Sequence, residues 1–249
     1  GVSSAASDVY KRQRELCSPA SVDLRVNSRR ASRKKVMRSL QRETEAEVEL
    51  SNFSSTGLRL DRRINLTATT ASRKSWIEVQ DEGSQAAVYS TDAAPGMTVI
   101  DACAGSGGKT LALADIIFRE EEGTEVPAHL QSRLVACEVH HKKLQELRRR
   151  TKDASLGGQV EYALIGEHGD LSNTLPRAHL VLVDSPCTGL GTLRRNPEAK
   201  NRYGEKDVRR FQSLQLEILE RFASLVRPRG RLVYVTCSFL ELSLIHISE

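Results

Sequence analysis

Residues 101–110, Asp-Ala-Cys-Ala-Gly-Ser-Gly-Gly-Lys-Thr, are the stretch with the clearest chemical potential. The apolar run Met97–Ile100 before them predicts a buried strand, and Leu111–Phe118 after them predicts a helix. Glycines let a ligand approach the backbone closely, and a helix start offers free N–H groups. The stretch therefore predicts a nucleotide-type site, and the alternative is a tight turn whose glycines serve packing. We call residues 103–109 the glycine turn.

Three classes of ligand are candidates for the glycine turn: a nucleoside phosphate, a dinucleotide and S-adenosylmethionine. A P-loop needs a glycine where Cys103 stands, and a dinucleotide fingerprint needs one where Thr110 stands. S-adenosylmethionine has no phosphate, so a glycine turn suffices if an acid at the end of the next strand holds the ribose hydroxyls. Glu138 is such an acid, although it follows later than the spacing of about 20 residues that dinucleotide sites show. The polar segment Arg119–Ser132 accounts for the extra length.

Two further cysteines lie at predicted strand ends. The apolar run Leu180–Asp184 leads directly to Cys187, and the run Arg231–Thr236 leads to Cys237. Open α/β sheets place their sites at the carboxyl ends of strands, so we expect Asp184 and Cys187 near the glycine turn. The other cysteines are expected to pack as small apolar side chains: Cys17, Cys103 and Cys137.

A methyl donor and two thiols together indicate methylation of carbon 5 of cytosine. That carbon is a poor nucleophile, but a thiolate that adds to carbon 6 makes the ring enamine-like, and carbon 5 can then attack a methyl group. An aspartate near N3 and N4 would stabilise the adduct, and a second thiol could help to free the product. Simple methylation of nitrogen or oxygen needs none of these groups.

Three segments, residues 101–110, 183–197 and 233–238, resemble in this order the Sun/RsmB-type RNA cytosine-C5 methyltransferases. Residues 79–85 are also similar to the entry helix of that family, and the match covers about Ser21–Glu241. The departures are small. Gly105-Ser106 stands where the family usually has Ala-Pro, Ser185 where it usually has Ala, and Thr188 where it usually has Ser.

The resemblance implies an α/β, Rossmann-like methyltransferase sheet that binds S-adenosylmethionine and RNA. It implies that Cys237 is the nucleophile that adds to carbon 6, that Cys187 assists product release, and that Asp184 contacts the cytosine. The implied cofactor-binding residues are Cys103, Ala104, Gly105, Ser106, Gly107, Gly108, Lys109, Glu138, Asp170 and Asp184.

Apolar β-runs that alternate with amphipathic helices predict the parallel sheet itself, with helices on both faces. The predicted strands are Thr98–Asp101, Leu134–Glu138, Val160–Leu164, Leu180–Asp184 and Arg231–Thr236. The predicted helices are Thr110–Arg119, Lys142–Lys152 and Lys206–Leu225. Together with a helix that ends near Tyr89, they form a predicted catalytic domain over residues 72–241.

A small α+β accessory domain is predicted over residues 19–71. Its predicted elements are strands at Ser21–Val26, Leu58–Leu60 and Ile64–Leu66 and a helix at Ala31–Glu43. From Arg25 to Arg42 the chain has eight basic residues and no acidic one, which indicates either phosphate contacts or a solvated helix face. The family often carries an RNA-binding domain here. The expected RNA contacts are Arg29, Arg30, Arg33, Lys34, Lys35, Arg38, Arg194 and Arg195.

The composition agrees with this interpretation without proving it. The chain has 249 residues and 37 basic against 32 acidic side chains, a net charge of +5 that mildly favours an anionic partner. Five cysteines without a Cys-x-x-Cys pair argue against a disulfide framework or zinc ribbon, so we expect a reducing compartment and no metal. There is no run of about 18 apolar residues, so no membrane partner is expected.

The two ends of the chain are interpreted separately. Residues 1–18 and 242–249 lack periodic patterns and resemble translated vector sequence or a disordered tail. After Glu241 the family continues with an acidic helix and two strands, so the catalytic domain is expected to be truncated and this fragment inactive, whereas the full-length protein should be a monomer.

The predicted function is S-adenosylmethionine-dependent methylation of carbon 5 of cytosine in RNA, through a covalent cysteine adduct. Ribosomal RNA is the first expected substrate and transfer RNA the second. The alternative is a non-catalytic RNA-binding or ribosome-assembly protein that retains the fold. Methylation of a protein or small molecule leaves the paired cysteines unexplained. The expected location is intracellular and soluble, with cytoplasm, nucleus and organelle left open.

Overall fold

The computed structural model describes residues 20–119 and 131–239. The terminal segments, Cys17 and most of the polar segment Arg119–Ser132 lie outside the described residues. The chain divides into two compact units, of which the larger comprises Ser21–Asp184 and Glu220–Val235. The described part of the smaller unit is Ala20, Ser185–Leu219 and residues 236–239.

The larger unit begins with an antiparallel sheet, which we call the first sheet. Its strands are β1 (Val22–Val26), β2 (Val48–Leu50), β3 (Gly57–Leu60) and β4 (Ile77–Val79), in the order β2-β3-β1-β4. Helix α1 (Arg33–Glu43) starts where the Ser32 side chain accepts a hydrogen bond from Lys35 N, as an N-cap does. Its buried residues Val36 and Leu40 join the core beneath the sheet because they are one turn apart.

Three details of this sheet differ from the sequence prediction, and the first is that strand β2 was not predicted. The strand predicted at Ile64–Leu66 is wrong, because the chain there forms a 3-10 helix at Leu66–Ala68. Strand β4 was not predicted, and it pairs with β1 although it lies beyond residue 71, where the accessory domain was expected to end. The short helices α2 (Thr70–Arg73) and α3 (Glu82–Tyr89) flank β4 in the chain.

The predicted parallel sheet is confirmed. Its strands are β5 (Thr98–Asp101), β6 (Arg133–Glu138), β7 (Val160–Leu164), β8 (Ala178–Asp184) and β9 (Val226–Val235). All neighbouring pairs are parallel, in the order β7-β6-β5-β8-β9. The helices that follow β5, β6 and β8 in the chain are α4 (Gly108–Ile117), α5 (His141–Asp153) and α6 (Glu205–Ala223).

The core of this sheet explains where its site must lie. Apolar residues of β5, β6 and β8 are fully buried, and Leu144 and Leu147 of α5 pack in the same cluster. Polar groups can reach solvent at the strand ends, and the carboxyl ends of β5, β6 and β8 share one edge because the strands are parallel. Asp101, Glu138 and Asp184 end these three strands.

The smaller unit contains less regular structure. It includes 3-10 helices at Leu190–Thr192 and Pro197–Asn201, and α6 begins in it. Within the described ranges, no helix has the length and apolar character that crossing a membrane requires.

Candidate functional site

The glycine turn follows β5 and leads into α4, as the sequence predicts. Gly107 has φ of 94°, and a Cβ there would lie 2.1 Å from Leu147 Cδ1. A side chain here would have to displace Leu147 and adopt a left-handed backbone, so glycine lets the turn lie close to α5. The first N–H groups of α4 have no acceptor within the helix and therefore suit a polar ligand.

Glu138 is held against the glycine turn by three backbone groups. One carboxylate oxygen accepts a hydrogen bond from Gly105 N at 2.9 Å, and the other accepts from Val139 N and His140 N, both at 2.9 Å. The side chain is buried, with the residue 6% exposed. A carboxylate has about four acceptor positions, so one remains for a hydroxyl of a ligand. Glu138 therefore fits the ribose-binding role that the sequence predicts for it.

Asp101 adds a buried acid that sequence reasoning did not assign to the site. Burial raises its pKa to about 7, while a hydrogen bond from Thr110 Oγ1 at 2.6 Å opposes that rise. Its Oδ1 atom is buried and has no hydrogen-bond partner among the described residues. The signal in the sequence was its place as the polar residue that ends an apolar run just before the glycines.

Lys109 joins the glycine turn to the end of β8. Its ammonium lies 2.6 Å from Asp184 Oδ2 and also donates to Ser84 Oγ at 3.2 Å. This contact brings together two residues that the sequence predicts for one site, and it pairs two opposite charges. Burial, the largest cause, raises the pKa of Cys103 to about 12, so this cysteine of the turn stays protonated.

Asp170 lies in an exposed loop and is engaged locally. Its carboxylate accepts hydrogen bonds from Ser172 Oγ at 2.6 Å and Ser172 N at 2.8 Å, and these bonds lower its pKa. Nothing in these contacts ties Asp170 to the glycine turn, so its predicted cofactor role rests on the resemblance alone.

The smaller unit brings the two predicted catalytic thiols together. Cys187 Sγ and Cys237 Sγ lie 3.0 Å apart, although 50 residues separate them in the chain. Gly191 N donates to Cys237 O at 2.7 Å, and Thr188 Oγ1 lies 3.1 Å from Ser238 Oγ. A Cβ at Gly191 would lie 2.7 Å from the same carbonyl, so the two segments meet only because residue 191 is glycine.

The contact between the sulfurs changes their acidity. The hydrogen bond from Cys237 is the largest cause that lowers the pKa of Cys187 to about 5, with a smaller contribution from Thr236 and against the effect of burial. A thiolate is the reactive form of cysteine, so this pair holds one activated sulfur near neutral pH. Two groups this close titrate as a pair.

A cavity of about 820 Å³ opens beside the thiols within the smaller unit. Its volume lies in the range of small-molecule sites, about 300–1,000 Å³. Polar and aromatic side chains suited to a nucleobase line it beside the two cysteines, among them Arg195, Asn196, Asn201, Arg202 and Tyr203. Tyr203 is held in place by an edge-to-face contact with Phe211, their ring centres 5.3 Å apart.

Comparison with known proteins identifies the family of this chain. The family model for 16S rRNA methyltransferase RsmB/F matches residues 88–242, more than half of the chain. The chain belongs to the RsmB/F family of 16S rRNA methyltransferases. One relative is ribosomal RNA small subunit methyltransferase B of Pseudomonas syringae pv. tomato, 31% identical over 217 residues, which are 87% of this chain and 46% of the relative. The chain spans about half the length of the curated relatives it matches.

Solved structures share the fold of this RsmB/F chain. A methyltransferase homologue from Pyrococcus horikoshii has a TM-score of 0.77 at 23% identity, over 96% of this chain and 71% of that one. NSun6 from the same organism, crystallised with the S-adenosylmethionine analogue SFG, has a TM-score of 0.79 at 15% identity, over 96% and 82% of the two chains. These likenesses confirm the Rossmann-like methyltransferase fold that the sequence predicts.

The basic residues that were predicted to bind RNA are not equivalent in this RsmB/F chain. Arg29 donates to Gln159 at 2.6 Å, Arg30 to Lys74 O at 2.9 Å, and Arg33 to Ser54 O at 2.9 Å. These three arginines therefore hold parts of the larger unit together. The ammonium of Lys35 lies 4.6 Å from the centre of the Trp76 ring, and Lys34 and Arg38 are exposed.

Proposed function

We propose that the full-length protein methylates carbon 5 of cytosine in RNA, using S-adenosylmethionine and a covalent cysteine adduct, with 16S ribosomal RNA as the first expected substrate. One observation carries the proposal: Cys187 and Cys237 form a sulfur pair with a 3.0 Å separation in a chain of a methyltransferase family. Methylation at nitrogen or oxygen has no use for such a pair, whereas carbon 5 must first be activated by a nucleophile.

The residues of the glycine turn fit S-adenosylmethionine. Bound there, the cofactor supplies an electrophilic methyl group. Glu138 has an acceptor position left for a ribose hydroxyl, and the N–H groups at the start of α4 can bind polar atoms. The buried Oδ1 of Asp101, which lacks a partner among the described residues, adds a second acceptor at the same sheet edge. The remaining cofactor contacts are assigned to the rest of the glycine turn, to Asp170 and to Asp184.

The two cysteines divide the chemistry between them. Cys237 adds to carbon 6 of the base as its thiolate, and its thiol proton passes to Cys187 along their hydrogen bond or, when Cys187 is replaced, to solvent. Asp184 accepts hydrogen bonds from the base. After Cys187 has lost its proton to solvent, it takes the proton from methylated carbon 5, and the bond between carbon 6 and Cys237 breaks. The lowered pKa of Cys187 keeps its sulfur deprotonated at neutral pH, which is the form that can accept this proton.

An RNA that contains 5-fluorocytidine tests this assignment. Fluorine at carbon 5 leaves no proton to remove, so the methylated adduct cannot break down and migrates slowly on a denaturing gel. With 16S ribosomal RNA transcribed in this form and S-adenosylmethionine present, we expect an adduct with the full-length protein and with its Cys187→Ala variant, and none with its Cys237→Ala variant. Mass spectrometry of the digested adduct identifies the attached cysteine.

Unfluorinated RNA completes the test. Cys187→Ala should trap a methylated adduct here too, because release is blocked, while the unaltered full-length protein should yield free 5-methylcytidine. The reverse pattern in the two variants would exchange the roles of the cysteines. RNA binding without an adduct or methylation would favour the alternative, a non-catalytic RNA-binding protein that retains the fold.

A further inference from the structure

The first sheet makes a set of contacts with the backbone of the glycine turn. These contacts come from its last strand, β4, and from Gln80, the residue that follows it. They lie within the larger unit, and the sequence prediction gave no site role to Glu78, Gln80 or Arg150, although Gln80 lies in the motif of residues 79–85.

The first contact runs through Arg150 of α5. Its Nη1 donates to Ser106 O in the glycine turn at 2.5 Å, and its Nη2 lies 2.7 Å from Glu78 Oε2 on β4. The side chains of Arg150 and Glu78 are 19% and 26% exposed. A guanidinium forms several hydrogen bonds in one plane, so it can hold a carbonyl and a carboxylate together. Glu78 therefore holds the guanidinium of Arg150 in place, and Arg150 in turn holds the carbonyl of Ser106.

The second contact runs through Gln80, which is buried. Its Nε2 donates to Gly108 O at 3.2 Å, and its Oε1 accepts from Arg25 Nε at 2.8 Å. Arg25 lies on β1 and forms a buried ion pair with Asp115 of α4. The first sheet therefore also holds the helix that follows the glycine turn.

These bonds fix the direction of the N–H groups of the turn. In a trans peptide the C=O and the next N–H point in opposite directions, so holding Gly108 O also aims Lys109 N–H. Lys109 N–H is one of the first N–H groups of α4, which have no acceptor inside the helix. Ligand donors held in advance lose less entropy when a ligand binds.

We propose that β4 and Gln80 position the glycine turn for its cofactor, with Arg150 and Gln80 as the positioning residues and Glu78 acting through Arg150. The inference rests on the proposed binding of S-adenosylmethionine at this turn. It gives the first sheet a role in cofactor affinity that is separate from any RNA contact of α1.

Calorimetric titration with S-adenosylmethionine tests the inference in the whole chain. Arg150→Met removes both bonds of the guanidinium, and we expect the dissociation constant to rise roughly five- to tenfold, the size of one ordinary hydrogen bond. Arg150→Lys keeps one donor and should restore part of the affinity. Arg149→Met is the matched control, because Arg149 is the neighbouring residue and pairs only with Glu146 and Asp153 among the ion pairs of the described residues.

A second variant separates positioning from stability. Glu78→Gln keeps the shape of the side chain and removes its charge, so it should weaken cofactor binding about threefold, less than the loss of a charged hydrogen bond. In the double variant with Arg150→Met it should add nothing, because Glu78 acts through Arg150. Both single variants should unfold, without cofactor, at the temperature of the Arg149→Met control. Additive losses, or a loss that only follows the unfolding temperature, would overturn the inference.

Glu138→Ala distinguishes this inference from the proposed function. In one outcome, Glu138→Ala loses affinity for S-adenosylmethionine about tenfold or more, while Arg150→Met and Glu78→Gln bind it as the unaltered chain does. This outcome would support the proposed cofactor site and show that the positioning role is wrong. If the unaltered chain binds no S-adenosylmethionine, or Glu138→Ala binds it equally well, the proposed cofactor site itself is wrong and the inference falls with it.

Discussion

The reactivity of Cys187 depends on its partner sulfur. An isolated thiol titrates with a pKa of about 8.5, and burial alone would raise that value. In the smaller unit the hydrogen bond from Cys237 outweighs burial and brings the pKa of Cys187 to about 5. The charged sulfur and its donor therefore fit the proposed covalent catalysis at cytosine, which requires a nucleophile and a proton acceptor.

Alkylation by iodoacetamide should therefore show this lowered pKa. The thiolate reacts and the thiol does not, so the rate at Cys187 should stay constant from about pH 8 to pH 6 and fall as the pH drops through about 5. Cys237→Ala removes the hydrogen-bond donor, and the rate at about pH 6 should then fall by roughly tenfold or more, because each pKa unit is a factor of about ten. Peptide mass spectrometry measures the rate at each cysteine.

Two cysteines of the larger unit provide internal controls. Burial raises the pKa of Cys103 to about 12 and raises that of Cys137 further, so both should stay unmodified over the same pH range. A rate at Cys187 that rises steadily from about pH 6 to pH 9 would show an ordinary thiol and contradict the proposed pairing.

Residue types near the site were predictable, but their partners were not. The glycine turn and Glu138 follow from a local pattern of strand, turn and helix. The contact of Lys109 with Asp184 joins residues 75 positions apart, and that of Arg150 with Ser106 joins residues 44 apart. No local periodicity encodes such contacts, because they form only when the sheet brings the segments together. Arg150 looks in sequence like any basic residue on an exposed helix face.

Among the elements, the turn before α4 depends most on a single residue. Gly107→Ala would add a Cβ 2.1 Å from Leu147 Cδ1 at a φ of 94°. The left-handed backbone costs about 1–2 kcal/mol for a residue with a side chain, and overpacking costs about 1–3 kcal/mol more. We expect the free energy of unfolding to fall by about 2–5 kcal/mol in urea titrations, with weaker cofactor binding.

Gly158→Ala is the matched control for this substitution. A Cβ at Gly158 would meet no atom within 4 Å, and this glycine is not among those with positive φ. The control should change the free energy of unfolding by less than about 1 kcal/mol. Equal effects of the two substitutions would mean that the contact of Gly107 with α5 does not hold the turn.

The sequence predicted the elements of the parallel sheet better than those of the first sheet. Buried parallel strands are continuous apolar runs, and all five were predicted, although β9 begins at Val226, five residues before its predicted start at Arg231. In β2 only Val48 of three residues is buried, so the sequence has no apolar run that predicts this strand. Its structure depends on its pairing with β3. Ile64–Leu66 has the alternating pattern of a strand, but no strand of the first sheet pairs with it.

At the scale of the whole molecule, the distribution of charge says more about possible RNA contacts than the net charge does. The net charge is +5, and several arginines of the basic run serve internal contacts. Lys34 and Arg38 are exposed and lie one turn apart on α1, so they share a face. The phosphate contacts predicted for the run are therefore best tested at these two residues, where replacement leaves the contacts of Arg29, Arg30 and Arg33 intact.

The salt dependence of RNA binding should decrease when these two charges are removed. Each phosphate contact releases counterions, so Lys34→Ser with Arg38→Gln should lower the slope of log affinity against log salt by roughly 0.7–0.9 per contact. Fluorescence anisotropy with a 16S ribosomal RNA fragment measures that slope. The control, Arg149→Gln with Arg209→Gln, removes the same net charge from arginines that are paired with carboxylates on their own helices. If both double variants flatten the slope equally, net charge rather than phosphate contact governs binding. If neither does, the basic run of α1 is a solvated helix face.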